Sequence, residues 1–598
     1  MELKKRSEFP ENELWDLTAL YKDREDFLLA IEKALEDVRV FRKNYENKLT
    51  DVDDFTQALM EIEQIYIQMS HIDTYAFMPQ TTDFSNEEFA QIAKAGSDFM
   101  TKASVELSFF DTALAQADEA ILDELEENPH FSAAIRQAKI QKAHLLAPEV
   151  EKALTNLNEV MGAPYDIYTK MRAGDFAMED FEVDGKTYTN SFVLYENFYQ
   201  NHEDAAIRDK AFRSFSKGLR QHQNAAAAAY LAKVKSEKLI ADMRGYASVF
   251  DYLLAEQEVD RSMFDRQIDL IMTEFAPVAR KFLKHVAEVN GLEKMTFADW
   301  KLDIDNELNP NVTIDEAYDL VMKSVASLGS EYTKEVERYQ KERWVDFAAN
   351  ANKDSGGYAA DPYKVHPYVL MSWTGRMSDV YTLIHEIGHS GQFIFSDNHQ
   401  SYFNTHMSTY YVEAPSTFNE LLLSDYLEHA FDTARQKRFA LAHRLTDTYF
   451  HNFITHLLEA AFQRKVYTLI EEGGTFGAEQ LNAIMKEVLS DFWGDAVEID
   501  DDAALTWMRQ SHYYMGLYSY TYSAGLVIAT SGYLHLKSSP NGASDWLDFL
   551  KSGGSKTPLD TAKIIGADIS TDKPLRDTIQ FLSDTVDSII AYSEAISQ

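Results

Sequence analysis

Two histidines and a glutamate within five residues could carry out hydrolysis together with a metal ion. His385 and His389 are four positions apart, and Glu386 follows His385 directly. On a helix, positions i and i+4 project from one face, so both imidazoles can reach a single ion. Zinc bound in this way lowers the pKa of a coordinated water to about 7. The spacing predicts one zinc ion per chain, held by His385 and His389, with Glu386 as the general base.

A zinc site of this kind needs a third protein ligand and an open position for water. Glu413 lies 24 positions after His389, and Glu420 lies seven positions further on. This interval allows one helix to end and a second helix to bring a carboxylate back. Pro415 either starts that second helix or kinks it. Spacing alone leaves open which glutamate is the ligand and which one supports a ligand by hydrogen bonding.

The two segments together resemble a known family. HEIGH at 385–389 followed by VEAPS at 412–416 is similar to the zinc peptidases of the thimet oligopeptidase and oligoendopeptidase F group. The resemblance implies that Glu413 is the third zinc ligand and that Glu420 supports a ligand. It also implies a mainly α fold with two lobes, a deep central cleft and a small β-sheet near the zinc. Members of this family cut oligopeptides internally, because folded proteins cannot enter the cleft.

A further match lies at 507–525, where the family carries a histidine and tyrosine cluster facing the zinc. The corresponding residues in this sequence are His512, Tyr518 and Tyr522. Imidazole N–H and phenol O–H groups can stabilise the oxyanion that forms when an amide is attacked. Tyr514, Tyr518 and Tyr522 recur every four residues, which predicts one shared helical face. We expect catalytic roles for His512, Tyr518 and Tyr522, and a weaker case for Tyr514.

The segment 354–373 interrupts the helical pattern just before the histidine pair. It resembles the family's strand beside the cleft, to which an extended substrate could add its own backbone. Gly356, Gly357 and Tyr358 are the expected substrate-binding residues, because glycine allows close backbone approach. Asp379 lies near the predicted start of the zinc helix, where a carboxylate favours the helix dipole. We interpret Asp379 as structural.

The remaining sequence is typical of long amphipathic helices. Its 24 glycines and 13 prolines are few for 598 residues, since about 7% and 5% are usual. The pair Asp184-Gly185 lies between short apolar/polar alternations and predicts a β-hairpin. We place the main domain boundary just after this hairpin. The predicted domains are an N-terminal helical domain, 1–195, and a mostly helical catalytic zinc peptidase domain, 196–598.

Composition limits the possible partners and locations. The chain carries 97 acidic and 57 basic residues, a formal net charge of −40, and no cysteine. Such a charge repels nucleic acid and anionic membranes. No window approaches 18 uninterrupted apolar residues, and the N-terminus lacks the apolar core of a signal peptide. We expect a cytoplasmic monomer whose partners are oligopeptide substrates, without nucleic acid or membrane binding.

Two other functions stay open from the sequence. An exopeptidase on the same scaffold, such as a dipeptidyl carboxypeptidase or carboxypeptidase, needs a cation for the free carboxylate of its substrate. Arg376 and Arg509 are candidates for that cation by their sequence positions. An inactive acidic helical scaffold that only binds partners is the other alternative. The combination of His385, Glu386, His389 and Glu413 counts against it.

Overall fold

A computed structural model describes residues 4–305, 308, 310–354 and 356–597 of the chain. The protein is 71% helical and only 3% strand, with two small sheets. This confirms the predicted mainly α fold. None of the helices in the described ranges has a stretch that is apolar and long enough to cross a bilayer.

The N-terminal lobe is a bundle of helices around its own apolar core. The fully buried side chains of Phe27, Leu59 and Phe99 belong to this core. Asp23 begins the first helix, because its carboxylate accepts a hydrogen bond from the backbone N–H of Asp26 at 3.0 Å. The helices of this bundle are α1 (Arg24–Tyr45), α2 (Val52–Thr82), α3 (Glu87–Gln116), α4 (Glu119–Glu126) and α5 (Ser132–Lys142). The next helix, α6 (Pro148–Lys170), contributes Tyr168 to the other apolar core.

The predicted hairpin is present, between strands β1 (Phe181–Val183) and β2 (Lys186–Tyr188), which pair antiparallel. Asp184 and Gly185 form the turn with φ of 50° and 77°. Aspartate and glycine tolerate such left-handed conformations, and two-residue hairpin loops require them. The Asp-Gly signal therefore placed this element correctly.

The larger lobe holds most of the helices. They are α7 (Phe192–Leu194), α8 (Ala205–Met243), α9 (Val249–Ala255), α10 (Arg261–Leu270), α11 (Ala276–Val289), α12 (Ile314–Ser324), α13 (Ser330–Lys341), α14 (Met377–His399), α15 (Ala414–Ala430), α16 (Ala434–His443), α17 (His456–Glu471), α18 (Ala478–Trp493), α19 (Ser519–Ser538), α20 (Gly542–Ser552), α21 (Pro558–Ile564) and α22 (Lys573–Ser597). A π-helical segment, Arg444–Thr455, connects α16 to α17.

One extended apolar core fills this lobe, with buried members from Tyr168 to Ile589. The core of the N-terminal lobe ends with Ala138. The hairpin before residue 195 therefore packs with the larger lobe, and the two apolar cores divide between Ala138 and Tyr168. The domain boundary at 195 stays a prediction.

A three-stranded sheet lies beside α14. Its strands are β3 (Val345–Asp346), β4 (Tyr358–Ala360) and β5 (Tyr368–Leu370), in the order β3-β5-β4. β5 pairs parallel with β3 and antiparallel with β4, so β4 is an edge strand. The segment 354–373 thus contributes two strands, β4 and β5, and the predicted small sheet lies next to the helix that carries the histidine pair.

Candidate active site

The paired histidines lie in the middle of α14. The start of that helix is fixed by Asp379, whose carboxylate accepts hydrogen bonds from the backbone N–H of Thr374 at 2.7 Å and of Arg376 at 3.1 Å. Asp379 therefore has the geometry of a helix cap, in line with a structural role. Because four residues make slightly more than one turn, His385 and His389 emerge from the same face of α14.

A glycine inside the histidine motif lets a second helix approach α14 closely. A Cβ atom placed on Gly388 would lie 2.5 Å from the carbonyl oxygen of Pro415 and 2.6 Å from Cα of Ser416. Real side chains do not tolerate such distances, so any other residue would push α15 away. Pro415 lies in the first turn of α15, and Glu413 is the residue immediately before that helix. The close contact thus brings Glu413 to the histidines.

The three side chains converge on one point. Oε2 of Glu413 lies 3.2 Å from Nε2 of His389 and 3.4 Å from Nε2 of His385. Zinc bonds of about 2.0–2.2 Å in a tetrahedral arrangement separate neighbouring donor atoms by roughly 3.3 Å. Two imidazoles and one carboxylate are also a known donor set for catalytic zinc. The residues present therefore fit a zinc ion by both chemistry and spacing.

Glu420 contacts the opposite edge of the His385 ring. Nδ1 of His385 donates to Oε1 of Glu420 at 2.6 Å, and Thr448 donates to Oε2 of Glu420 at 2.5 Å. An imidazole that donates a hydrogen bond from Nδ1–H to a carboxylate keeps the lone pair of Nε2 free for a metal. Glu420 has the supporting geometry that the resemblance implied, and Glu413 has the ligand geometry.

Charge and burial shift the pKa values in this group. Burial alone would lower the pKa of His385, but hydrogen bonds to Glu413 and Glu420 raise it well above its ordinary value. Burial would raise the pKa of Glu413, yet the two imidazoles hold it well below its ordinary value. Burial raises the pKa of Glu386, against the opposing charges of His385 and His389. Burial likewise raises the pKa of Glu420.

His512 and two tyrosines form a second group near Glu413. His512 lies on a short 3-10 turn, Tyr518 directly precedes α19, and Tyr522 is in its first turn. The ring centroids of Tyr518 and Tyr522 are 5.3 Å apart, and each lies within 5.7 Å of the centroid of His512. Gly525 allows α19 to contact α15, since a Cβ there would lie 3.3 Å from Cβ of Glu413.

Burial, followed by neighbouring negative charge that includes Glu413, raises the pKa of Tyr518 and of Tyr522. Both phenols therefore keep their protons at neutral pH. They are available as hydrogen-bond donors on the side of the group that carries Glu413.

The prediction that Tyr514 shares a helical face with Tyr518 and Tyr522 is wrong. The chain leaves the 3-10 turn after Tyr514 and passes Gly516, whose φ is +63°, before α19 begins. Tyr514 instead packs against Tyr168, with ring centroids 4.9 Å apart, and donates to the carbonyl of Ala226. A spacing of four residues implies a shared face only where the helix is continuous.

Sequence reasoning missed Glu459, His456 and His451. Oε2 of Glu459 accepts hydrogen bonds from Nδ1 of His456 at 2.9 Å and from Nδ1 of His512 at 3.4 Å. Nε2 of His456 meets Nε2 of His451 at 2.9 Å. The available signal was H-x-x-E at 456–459, since positions i and i+3 of a helix are neighbours.

The predicted substrate-binding residues lie at the start of β4, a strand that contacts α14. A Cβ on Gly357 would be 3.3 Å from Oε1 of Glu386, so this glycine lies against the proposed base. The side chain of Tyr358 turns toward the N-terminal lobe, where its hydroxyl bonds to Thr81 at 2.7 Å and its ring contacts Phe77. Only the backbone of Tyr358 therefore remains at the edge of β4. Gly356 precedes it with φ of +103°.

Two family profiles match the chain. Residues 198–581 match "Peptidase family M3", and residues 114–177 match "Oligopeptidase F". The first match covers more than half of the chain. It includes all of α14, α15, α17 and α19, which carry most of the site residues described above.

Individual proteins are similar along nearly the whole chain. Oligopeptidase PepF of Bacillus subtilis is 25% identical over 98% of this chain and 88% of its own length. An oligoendopeptidase F homolog of Borreliella burgdorferi is 27% identical over 98% and 99%. A Chlamydophila abortus protein of known structure superposes with a TM-score of 0.86 at 23% identity, over 99% and 100%. Oligoendopeptidase-F from Enterococcus faecium superposes with a TM-score of 0.72 at 20% identity, over 96% and 98%.

Proposed function

The chain belongs to peptidase family M3 and is a metallo-oligopeptidase, and on that premise we propose that it is a zinc-dependent endopeptidase. It hydrolyses internal peptide bonds of short, unstructured oligopeptides. The observation that carries the proposal is the convergence of His385, His389 and Glu413 on one point, with Glu386 on the same helix. The side chains of His385 and His389 keep 25% and 14% of their surface exposed, so a substrate can reach them.

One zinc ion per chain would be held by His385, His389 and Glu413. Bound there, zinc would act as a Lewis acid toward the scissile carbonyl and would lower the pKa of a water molecule. Glu420 holds the His385 ring in the orientation that ligation needs, through the 2.6 Å contact described above. Thr448 in turn holds Glu420.

Glu386 acts as the general base. It takes the proton of the attacking water and later gives that proton to the leaving amine. Burial raises the pKa of its carboxyl, so Glu386 is a stronger base than an exposed glutamate. The backbone of Gly357 lies against this carboxylate, where a substrate bound along β4 would present its scissile bond.

His512, Tyr518 and Tyr522 stabilise the oxyanion that develops on the carbonyl oxygen. The tyrosines are protonated donors close to Glu413, and His512 lies beside both rings. Donors fixed in place before the reaction stabilise developing charge without reorganising during it.

The exopeptidase alternative loses one of its two candidate cations. The guanidinium of Arg509 is buried and donates two hydrogen bonds to Glu196, at 2.9 and 3.1 Å. The charge of Arg509 is therefore already neutralised by Glu196. An amidated peptide distinguishes the two activities directly, because an endopeptidase tolerates a blocked C-terminus and a carboxypeptidase does not.

The deciding experiment uses an internally quenched peptide of about ten residues, blocked at both ends. Wild type and Glu386→Gln are assayed side by side, and zinc per chain is measured in both. We expect one zinc in each protein and cleavage only by wild type. Zinc in both with cleavage in neither would favour an exopeptidase, to be tested on free-ended peptides. Normal cleavage by Glu386→Gln would refute the assigned base.

The cytoplasmic location and the monomeric state are part of the same proposal. A net charge of −40 makes copies of the chain repel one another, which supports a monomer. Light scattering at physiological salt would measure the molar mass, and a value of twice 68.3 kDa would refute the monomer.

A further inference from the structure

A buried carboxylate, Glu459, lies behind His512. It lies in the first turn of α17 and is only 1% exposed. Three donors meet its Oε2 atom: Nδ1 of His456 at 2.9 Å, Oγ of Ser519 at 3.1 Å and Nδ1 of His512 at 3.4 Å. Its other oxygen, Oε1, is buried and has no hydrogen-bond partner among the described residues. A buried acceptor left half satisfied is uncommon and is often associated with function.

The carboxylate defines which ring nitrogens carry protons. An ionised carboxylate only accepts, so Nδ1 of His456 and Nδ1 of His512 must both be donors. Nε2 of a neutral His456 is then an acceptor, and His451 donates to it across the 2.9 Å contact. His512 likewise keeps Nδ1 directed at Glu459, which leaves its Nε2 atom for the side of the ring that adjoins Tyr518 and Tyr522.

The charges around Glu459 keep it ionised. Burial alone would raise the pKa of Glu459, but His456 and His512 hold it well below its ordinary value. The cations of Lys301 and Arg509 also interact with it from further away. The result is a fixed negative charge next to one edge of the His512 ring.

We propose that Glu459 is a positioning residue for His512: it accepts a hydrogen bond from Nδ1 and so directs Nε2 toward the substrate, where Nε2–H of the protonated ring can donate to the oxyanion. This inference rests on the proposed endopeptidase function. A protonated imidazole donates from both nitrogens, to Glu459 through Nδ1 and to the substrate oxygen through Nε2. Since Glu459 does not touch the substrate in this arrangement, its whole contribution passes through His512.

A double-mutant cycle tests this dependence. Glu459→Gln removes the charge while keeping the shape, and we expect kcat to fall by on the order of 10-fold to 100-fold with KM changed less than about threefold. In the His512→Ala background, the same change is expected to lower kcat by less than about twofold, because the group that Glu459 orients is gone. Glu459→Asp keeps the charge and is expected to lose less activity than Glu459→Gln.

The matched control is Glu63→Gln. Glu63 is also a buried carboxylate, 4% exposed, that pairs with a histidine, His130, at 2.8 Å. It lies in the N-terminal lobe and takes no part in the site. We expect kcat to be unchanged in Glu63→Gln, which separates the effect on His512 from the general effect of removing a buried charge.

Two measurements besides activity complete the test. A crystal structure of Glu459→Gln is expected to show the His512 ring rotated or disordered, and zinc is expected to remain at one per chain. Equal losses from Glu459→Gln with and without His512 would overturn the proposal, as would an unmoved ring with normal kcat.

The donor atoms of His456, Glu459 and His512 also lie close enough to hold a metal ion. A second zinc in wild type that disappears in Glu459→Gln would therefore replace the positioning role by a metal site. Failure of the proposed function is recognised separately, because wild type itself would then cleave no peptide.

Discussion

Nδ1 of His385 lies 2.6 Å from Oε1 of Glu420, while Nε2 of the same ring faces Glu413. One imidazole thus joins two carboxylates with different tasks. The contact at Nδ1 holds the ring, and the contact at Nε2 marks the position of the ion. Removing Glu413 and removing Glu420 should therefore weaken zinc binding to different degrees.

The first prediction compares these two glutamates. Glu413→Ala removes a ligand and is expected to abolish stoichiometric zinc binding. Glu420→Ala removes only the support of His385 and is expected to weaken zinc affinity about 10-fold to 100-fold. Competition with a chromophoric chelator measures both Kd values. If Glu420→Ala lost more affinity than Glu413→Ala, the third ligand would have to be reassigned to Glu420.

The second prediction concerns Gly388. Gly388→Ala forces a methyl group into the contact with Pro415, so α14 and α15 must separate. We expect a loss of about 1–3 kcal/mol of stability, the usual range for overpacking, together with weaker zinc binding. Gly162→Ala, in α6, is the control because no atom lies within 4 Å of the new Cβ. That variant should keep its zinc and be as stable as wild type or slightly more so. A Gly388→Ala protein with unchanged Tm and zinc affinity would contradict the close-packing argument.

The third prediction separates the tyrosines. Tyr522→Phe removes a proposed oxyanion donor and is expected to lower kcat by on the order of 10-fold to 100-fold, with zinc content unchanged. Tyr514→Phe removes a hydroxyl that bonds to a backbone carbonyl in the core, so it should affect Tm and leave kcat within about twofold. Steady-state kinetics on the quenched peptide measure both effects. Equal losses of kcat in the two variants would remove the case for Tyr522.

The fourth prediction concerns pH and the carboxyl pair of Asp361 and Asp397. Asp361 follows β4, and Asp397 is near the end of α14. Burial raises the pKa of Asp397 from 3.8 to about 6, and burial followed by the charge of Asp397 raises that of Asp361 further. The folded protein therefore binds more protons than the unfolded chain from about pH 4 up to the raised pKa values. The stability that this pair contributes is complete below about pH 4 and is lost as pH rises through those values, beginning near 6 for Asp397.

Asp397→Asn should remove most of that pH dependence, because an amide can donate to Asp361 at any pH. A raised pKa of about two units corresponds to on the order of 2–3 kcal/mol. The measurement is Tm between pH 5 and 8. The fall of Tm with rising pH is expected to be smaller in Asp397→Asn than in wild type. Asp98→Asn, at an exposed position on α3, is the control and should leave the decline unchanged. An identical pH profile in Asp397→Asn and wild type would show that this pair does not cause the decline.

The sequence predicted the parts of the site that depend on local periodicity. The spacing of His385 and His389 was sufficient to place both side chains on one helical face, because one continuous helix carries both. Spacing could not choose between Glu413 and Glu420, since that choice depends on how closely α15 approaches at Gly388. The family resemblance implied Glu413, and that assignment stays a prediction.

The errors and omissions arise where the backbone leaves a regular helix or where contacts are distant in sequence. Tyr514 was placed on the face of Tyr522 because the turn at Gly516 has no clear signal in a run so rich in tyrosine. Glu459 was missed because its contact with His512 spans 53 positions. A resemblance to known motifs does not reveal a partner that lies behind the motif.

The π-helical segment Arg444–Thr455 sets the angle about the helix axis at which the side chains of α17 project. It contributes Thr448 to the hydrogen bond with Glu420, and it leads directly into α17, which carries Glu459. Each residue of an α-helix turns the chain by about 100°, so deleting one residue here would rotate α17 by about that angle relative to α16. Glu459 would then face away from His512 even though no active-site residue had changed. Insertions and deletions should therefore be far less tolerated in this segment than in the surface turns of the same lobe, and sequence alignments of relatives can be anchored on its length.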